Sequence, residues 1–413
     1  MKKICFPLLA VFAMALTGCS DDEPTMSKII PEDAFPDANF REYVLDQFDI
    51  DADGVISQDE AARVTKINVW GSLYSRGDIE SLEGIQYFPN LDTLYCYGNK
   101  LTALDVSKNT KLSTLWCYWN KLTALDLSKN TKITDLDCYD NKLTELDVSK
   151  NTALTHLDCG ENQLTALDVS KNTELTNLEC DYNQLTSLDV SKNTNLNNLF
   201  CYHNQLTSLD VSKNTELTDL RCHSNQLTAL DVSKNTELTY LNCNWNRLTA
   251  LDLSKNTELT YLDCGFHQLT ELDVSKNTKL TYLNCDNNQL TALDVTKNTE
   301  LKSLFCDNNQ LTALDVTKNT ELKNLYCYYN QLTALDVSKN TALTYLSCSS
   351  NQLTALDVSK TNLGNSSSPY PLNCRDMSTL KTLTLKTGWS IKGITKDRST
   401  DYIPEHTDII FAD

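Results

Sequence analysis

A 21-residue unit recurs thirteen times through the middle of this 413-residue chain. One clean copy runs Leu227-Thr228-Ala229-Leu230-Asp231-Val232-Ser233-Lys234-Asn235-Thr236-Glu237, then Leu238-Thr239-Tyr240-Leu241-Asn242-Cys243-Asn244-Trp245-Asn246-Arg247. A cysteine marks each period, from Cys96 and Cys117 to Cys348. Self-similarity at a short fixed period specifies a solenoid, in which each coil contacts only its neighbours. Such a chain offers a long surface rather than one deep pocket.

The unit is itself double. Eleven residues read Leu-x-x-Leu-x-Val-x-x-Asn, and ten read Leu-x-x-Leu-x-Cys-x-x-Asn, so Val232 and Cys243 share one kind of slot. That slot takes Leu127 and Leu253 elsewhere, so it is apolar. Each half reads as a short strand with alternating inward residues followed by a turn, giving two strands per coil. The recurrent asparagine (Asn109, Asn120, Asn130, Asn141 and onward) closes each half, where its amide can bond bent backbone or a stacked copy. His267 is the clear substitution in that slot. Strands about 4.8 Å apart make thirteen coils roughly 60 Å long.

This pattern resembles the leucine-rich repeat family, in the short bacterial form built from nested ten- and eleven-residue units. The resemblance covers residues 82–360. It implies a leucine-rich repeat solenoid, mostly short parallel β-strands with little helix. It also implies binding of proteins or glycans, as in internalin-like surface proteins, and it does not imply catalysis. The sequence agrees on the last point: it holds no Gly-rich phosphate loop, nucleophile elbow or His-Glu-x-x-His run. His203 and His223 fall on adjacent coils and are the closest approach to a shared metal site.

The N-terminus reads as an address. Lys2 and Lys3 precede an apolar stretch, Ile4 to Leu16, too short for an ordinary membrane span. Leu16-Thr17-Gly18-Cys19 resembles a lipobox, which implies cleavage after residue 18 and lipidation at Cys19. The alternative is an ordinary signal peptide with a chance cysteine. Ser20-Asp21-Asp22-Glu23 resembles the acidic tag of lipoproteins displayed outside the outer membrane. The expected organisation is a signal peptide over 1–18 and a tether over 19–35. A helical cap over 36–81, repeats over 82–360 and a β-rich C-terminal cap over 361–413 follow. Losing Lys2 and Lys3 takes the net charge from −19 to −19 − 2 = −21. A surface that acidic repels phosphate backbones and disfavours nucleic acid.

In the cap, Asp49-Ile50-Asp51-Ala52-Asp53-Gly54-Val55-Ile56-Ser57-Gln58-Asp59-Glu60 fits the twelve-residue EF-hand calcium loop. Asp49, Asp51, Asp53 and Glu60 would supply carboxylate oxygens, Val55 its carbonyl, and Ser57 a water-bridging hydroxyl. The expected cofactor is one structural Ca²⁺; the alternative is an acidic turn without metal. Phe40, Tyr43, Val44 and Phe48 mark a helical face before the loop, and Gln58 to Val64 can start a second helix.

Sixteen cysteines in an exported chain would ordinarily suggest disulfides. Here parallel side chains on adjacent coils would strain the bridge torsion, which favours buried free thiols acting as small hydrophobes. Cys374 stands apart as an extra.

The eleven-residue half barely changes between coils, whereas the ten-residue half varies outside its leucines. Its outward columns carry Tyr95, Tyr97, Trp116, Tyr118, Trp119, Tyr139, Phe200, Tyr202, Tyr240, Tyr261, Tyr282, Phe305, Tyr326 and Tyr328. Exposed aromatics suit a binding face; the competing reading is cross-coil stacking that stabilises the sheet. Past Thr361 the pattern fails, and Leu380, Leu383, Leu385, Trp389, Ile391, Ile394, Ile409, Ile410 and Phe411 suggest further short strands. The resulting expectation is a monomeric outer-membrane lipoprotein, exposed at the cell surface, that binds a protein or glycan. The alternative is a structural spacer without a specific ligand.

Overall fold

The structure, a computed structural model, describes residues 29–70, 77–365, 371–388, 403–404 and 406–412. The expected signal peptide, Cys19 and the acidic run fall outside these residues, as do Trp389, Ile391 and Ile394.

Each repeat forms one coil. The ten-residue half supplies a three-residue strand, giving thirteen strands from β4 (Thr93–Tyr95) to β16 (Tyr345–Ser347). These pair in parallel with a 21-residue register, so Leu220 faces Leu241 and Arg221 faces Asn242. The central leucine of each strand and the cysteine that follows it point into the core, while the residues on either side of the leucine are half-buried, except Asp263 and Ser347, which are buried. The sheet is longer than the repeats. β3 (Lys66–Asn68) starts it, and β18 (Leu372–Asn373) ends it, making fifteen strands.

The eleven-residue half does not form the expected second strand within the repeats. Its aspartate folds back instead: Asp231 Oδ1 accepts the Ser233 N–H at 2.9 Å. The Asn235 N–H then donates to the Val232 carbonyl at 3.0 Å. Both contacts are local turns, which compete with an extended ladder. Only where the repeat frays does the second face become sheet. β17 (Ala355–Asp357), β19 (Thr382–Lys386) and β20 (Asp408–Ala412) form a parallel three-stranded sheet.

Two asparagine files tie the coils together. In the ten-residue half, Asn225 donates to the Cys201 and Cys222 carbonyls at 3.0 and 3.1 Å, and its Oδ1 accepts Leu206 N–H at 2.9 Å. In the eleven-residue half, Asn235 donates to the Val211 and Asn214 carbonyls at 3.0 and 2.8 Å. Among the described residues, the amides in both files bond backbone on the neighbouring coil rather than one another. Where His267 replaces asparagine, the ring lies near the Asn246 and Cys243 carbonyls, yet neither nitrogen makes a well-formed hydrogen bond.

Leucine, valine and cysteine fill the core continuously. Each buried leucine contributes about 1.5–3 kcal/mol of transfer free energy. All fourteen cysteines from Cys96 to Cys374 are buried free thiols. Cys374 is not an isolated extra: β18 brings it into the file after Cys348, whose N–H bonds the Asn373 carbonyl at 2.8 Å. Several thiols donate weakly to the next coil, as Cys264 Sγ does to the Asn284 carbonyl at 3.3 Å. Burial pushes the Cys222 and Cys348 thiols up to about 12, so both stay protonated at neutral pH.

The N-terminal cap is continuous with the solenoid. β1 (Ile29–Ile30) pairs antiparallel with β2 (Ile56–Ser57), so part of the segment read as tether packs onto the cap. α1 (Ala38–Phe48) buries Phe40 and Val44. Asp37 caps α1 by accepting Asn39 and Phe40 N–H groups, and its other oxygen accepts Glu80 N–H at 2.7 Å. α2 (Gln58–Ala61) is a single turn, shorter than the span to Val64 that the sequence suggested. Among the described residues no helix is long and apolar enough to cross a membrane.

Candidate functional site

The acidic loop between α1 and β2 gathers three of its expected ligands. Asp49, Asp51 and Asp53 place carboxylate oxygens within 4.8 Å of one another. Gly54, at φ +85°, makes the sharp turn, and its N–H donates to Asp49 Oδ2 at 2.8 Å. Desolvation and the charges of Asp53, Glu60 and Asp49 push Asp51 upward, a repulsion that a cation would relieve. Glu60 is placed differently. Its Oε1 accepts Ile50 N–H at 2.8 Å, and its Oε2 accepts the Ser57 N–H and hydroxyl at 2.9 and 2.8 Å. Burial opposes its charge, but these bonds hold it below the usual carboxylate range. Val55 donates its N–H to Asp53, and Ser57 caps α2. The three aspartates, the glycine turn and an ionised glutamate beside them fit a hard divalent cation with oxygen ligands.

On the sheet, the aromatics lie mostly against one another. Tyr95 stacks on Trp116 at 4.5 Å, and Tyr97 on Tyr118 at 4.3 Å. Trp119 meets Tyr118 edge-on. A longer file starts where Arg221 lies 4.3 Å over the Phe200 ring and 4.6 Å over Tyr240. It continues through Tyr240, Tyr261 and Tyr282 at 4.0 and 4.3 Å. The file then shifts column to Phe305 and Tyr326 and returns to Tyr345, with spacings of 5.3, 4.5 and 4.7 Å. Tyr345 was not singled out in the sequence, although it shares the column of Tyr240. In these files ring faces are turned to neighbours.

Between the files lie carboxylates. Burial pushes Asp137 up to about 7 and Asp158 up to about 8, the latter aided by the Asp137 charge. Asp181 and Asp263 rise to about 6, again chiefly by burial. The Tyr202 hydroxyl lies beside Asp181, Tyr328 beside Asp307, and Tyr139 beside Glu161. His203 and His223 stack on Tyr182 and Tyr202 at 4.3 Å each rather than converging on a metal. Burial holds His223 down at about 4.

The turn after each strand adds a feature that the periodicity did not bring out. From Trp119 to Ser350, every coil puts the second residue after its cysteine in the left-handed region, at φ between 45° and 54°. Asn287, Asn308 and Asp140 suit that conformation; Trp119, Tyr182, Trp245, Phe266 and Tyr329 do not. A side chain there costs about 1–2 kcal/mol. The recurring Asn and Asp at this place, with Gly98 one coil earlier, were the signal that could have revealed it. Tyr182, Trp245 and Tyr329 are also among the most exposed aromatics.

Comparison with known proteins places this architecture. A leucine-rich repeat family model matches residues 120–138. No curated protein matches the sequence. Among solved structures, the functional domain of InlJ from Listeria monocytogenes, which includes a cysteine ladder, is 39% identical. The match covers 86% of this chain and 81% of that one, with a TM-score of 0.74. The internalin InlF from Listeria monocytogenes is 27% identical over 76% of this chain and 95% of that one, with a TM-score of 0.69. A leucine-rich repeat protein of Leptospira interrogans, 23% identical, shares the fold over 79% of this chain and 91% of its own, with a TM-score of 0.64. The extent of the InlJ match over both chains makes this protein a member of the bacterial, internalin-like leucine-rich repeat family.

Proposed function

We propose that this protein is a non-enzymatic recognition protein of the bacterial envelope. In this reading Cys19 carries the lipid anchor, the acidic run after it directs display at the cell surface, and the ten-residue face engages a protein or glycan. The observation that carries the reading is the contrast within each coil. The eleven-residue half repeats nearly verbatim, while the ten-residue half changes its aromatic and acidic residues from coil to coil. Family membership supports it. Stacking of Tyr240, Tyr261 and Tyr282 at 4.0 and 4.3 Å favours a second reading, in which the file stiffens a spacer.

The test is a protein and glycan array probed with the full chain. Replacing Trp116, Tyr118 and Trp119 with alanine is expected to weaken capture. Asp231→Ala with Ser233→Ala on the constant half is expected to leave it intact. Loss with Tyr240→Ala or Tyr326→Ala instead would keep the face and move the site. Capture unchanged by all of these would leave the spacer.

The acidic loop is proposed to hold one Ca²⁺, with Asp49, Asp51, Asp53, Val55, Ser57 and Glu60 around it. A bound hard cation neutralises the three aspartates and staples the cap that covers the first coil. Calcium is expected to raise Tm by mass action, and Glu60→Ala is expected to remove that response. An equal Tm in chelator and in millimolar calcium would defeat it. Cys19→Ser is expected to move the protein from membrane to soluble fractions.

A further inference from the structure

The asparagine file of the ten-residue half is broken at one place. It has thirteen positions from Asn99 to Asn351, and His267 stands at the ninth. On a regular coil the amide makes two bonds to the coil before it. Asn246 Nδ2 donates to the Cys222 carbonyl at 3.0 Å, and Asn246 Oδ1 accepts the Leu227 N–H at 2.9 Å. Asn288 does the same with the Cys264 carbonyl and the Leu269 N–H, both at 3.0 Å. His267 makes neither bond well. Its ring is only 7% exposed, both nitrogens lack a well-formed hydrogen bond, and the Leu248 N–H loses the amide acceptor that Leu227 and Leu269 have.

The backbone bonds across the same junction are longer too. Trp245 N–H reaches the Gly265 carbonyl at 3.2 Å, and Gln268 N–H the Leu248 carbonyl at 3.0 Å. One coil earlier the matching bonds, Ser224 to Asn244 and Arg247 to Leu227, are 3.0 and 2.8 Å. One coil later, Phe266 to Asp286 and Gln289 to Leu269 are 3.0 and 2.9 Å. The junction is held by its leucines, by the pairing of Leu241 with Leu262, and by two ring stacks that bridge it. These are Tyr240 on Tyr261 at 4.0 Å and Trp245 on Phe266 at 3.9 Å.

A buried imidazole with no anion against it is a base that folding keeps neutral. Besides the stacked tyrosines, the titratable and charged groups on the ten-residue halves packed here are Arg247, Asp263, Asp286 and the thiols of Cys243, Cys264 and Cys285. None of them compensates a charge on the ring. Burial holds His267 down at about 4, against help from the Asn246 and Cys243 carbonyls alone. Once opened to water, the ring titrates at its ordinary 6.5. Between these limits the opened turn takes up a proton that the closed turn refuses, so closure weakens as pH falls from about 6.5 to about 4.

We infer that His267 builds an acid-sensitive joint into the solenoid, where the turns joining the coils of Cys243 and Cys264 open ahead of the matching turns on either side as pH falls. Coils couple chiefly to their neighbours, so one weak junction can open without unfolding the rest of the stack. The joint sets eight coils, Cys96 to Cys243, against five, Cys264 to Cys348. It needs no ligand and stands apart from the recognition reading.

The experiment follows hydrogen exchange of the full chain by mass spectrometry at pH 7 and pH 5. Residues 245–248 and 266–268 are compared with the matching residues one coil away, 224–227 and 287–289, so that the intrinsic effect of pH cancels in the ratio. Exchange at the joint should be the faster at both pH values, and the ratio should grow by about tenfold between them. His267→Asn should restore the file, bring the joint level with its neighbours, and raise Tm more at pH 5 than at pH 7. Asn225→His should create a second joint between the coils of Cys201 and Cys222; if that variant does not fold, the parent and His267→Asn still decide. Equal protection of the joint and its neighbours at pH 5 overturns the inference. So does a Tm gain from His267→Asn that is the same at both pH values.

Discussion

Aspartate occurs on both halves of the coil, and the two halves treat it in opposite ways. On the eleven-residue half, Asp126 is held below its ordinary value by the Ser128 N–H, which its carboxylate accepts at 2.9 Å. On the ten-residue half, burial drives Asp137 up to about 7 and Asp158 up to about 8. The first arrangement is complete within its own turn and can be repeated unchanged on every coil. The second leaves charge partly desolvated and only partly hydrogen-bonded, a condition that folding opposes and a binding partner can relieve. Repetition therefore marks the half that builds the coil, and variation marks the half open to other work.

The comparison is broken hardest at the asparagine files. Asn225 on the ten-residue half has both amide atoms bonded, whereas Asn235 on the other half leaves its Oδ1 without a partner. Asn225→Ala strands the Leu206 N–H in the core, while the Cys201 and Cys222 carbonyls keep Asn204 and Asn246 as donors. It is expected to cost about 3 kcal/mol, and Asn235→Ala, whose two carbonyls keep the Asn214 and Leu217 N–H groups, about 1–2 kcal/mol, since a buried group left unsatisfied costs about 1–3 kcal/mol and a hydrogen bond lost about 1 kcal/mol. The check is the denaturant midpoint of each variant at unchanged slope. Equal losses at the two sites would erase the distinction between the files.

Next come the raised carboxylates. Asp137→Asn with Asp158→Asn removes two groups whose folded state resists ionisation. Unfolded, each ionises near its ordinary value of 3.8; folded, not until about 7 or 8. As pH rises between these limits the unfolded chain releases protons that the folded chain keeps, so stability falls. Below pH 4 both states are neutral, and the variant gains nothing. At pH 8 the gain is on the order of 2 kcal/mol, discounted for mutual coupling and partial exposure. Melting curves of variant and parent from pH 4 to pH 8 should therefore diverge, and parallel curves would remove the contrast between the halves.

Much of this was legible in the sequence because a repeat averages its own noise. Thirteen copies of Leu-x-x-Leu-x-Cys made the inward column plain, and the shared slot of Val232 and Cys243 identified the thiols as core. The second strand was misread because Leu230-Asp231-Val232 alternates like a strand. The Asp231 carboxylate, by bonding Ser233, turns the chain before a ladder forms. Cys374 was missed as a file member because residues 361–371 break the spacing in sequence without breaking the stack. The aromatic columns were found, but sequence could not show that ring faces would be consumed by neighbours.

A smaller effect separates the two members of the shared slot. Cys243 and Val232 are both fully buried, but the Cys243 thiol also reaches the Asp263 carbonyl at 3.6 Å. Cys243→Val keeps an apolar side chain of similar volume and loses only a weak donor. Its cost is expected to stay under about 1 kcal/mol. Thiol labelling under denaturing conditions without reductant should meanwhile find the file reduced. A bridge from Cys222 to Cys243 detected by mass spectrometry would end the account of the file as packing.

The least effect is expected on the constant half, and its sign is the sharpest part of the comparison. Asp231 is exposed and is held below its ordinary value by the Ser233 N–H, the Ser233 hydroxyl and Lys234. A carboxylate whose folded value is depressed adds stability above its unfolded value and loses it as pH falls through the folded one. Asp231→Ala should therefore lower Tm slightly at pH 7 and leave it unchanged near pH 2, the reverse of the pH trend for Asp137 and Asp158. One coil contributes too little to read with certainty, so the replacement is best made together at Asp210, Asp231, Asp252 and Asp273, which share the same bond to the residue two positions on. Each turn closes within its own coil, but neighbouring aspartates repel, as Asp231 does Asp252, so the four losses should sum to somewhat less than four times the single one. A combined loss much larger than four times the single one would mean that the eleven-residue turns couple across coils, which the local hydrogen bonds at these aspartates give no route for.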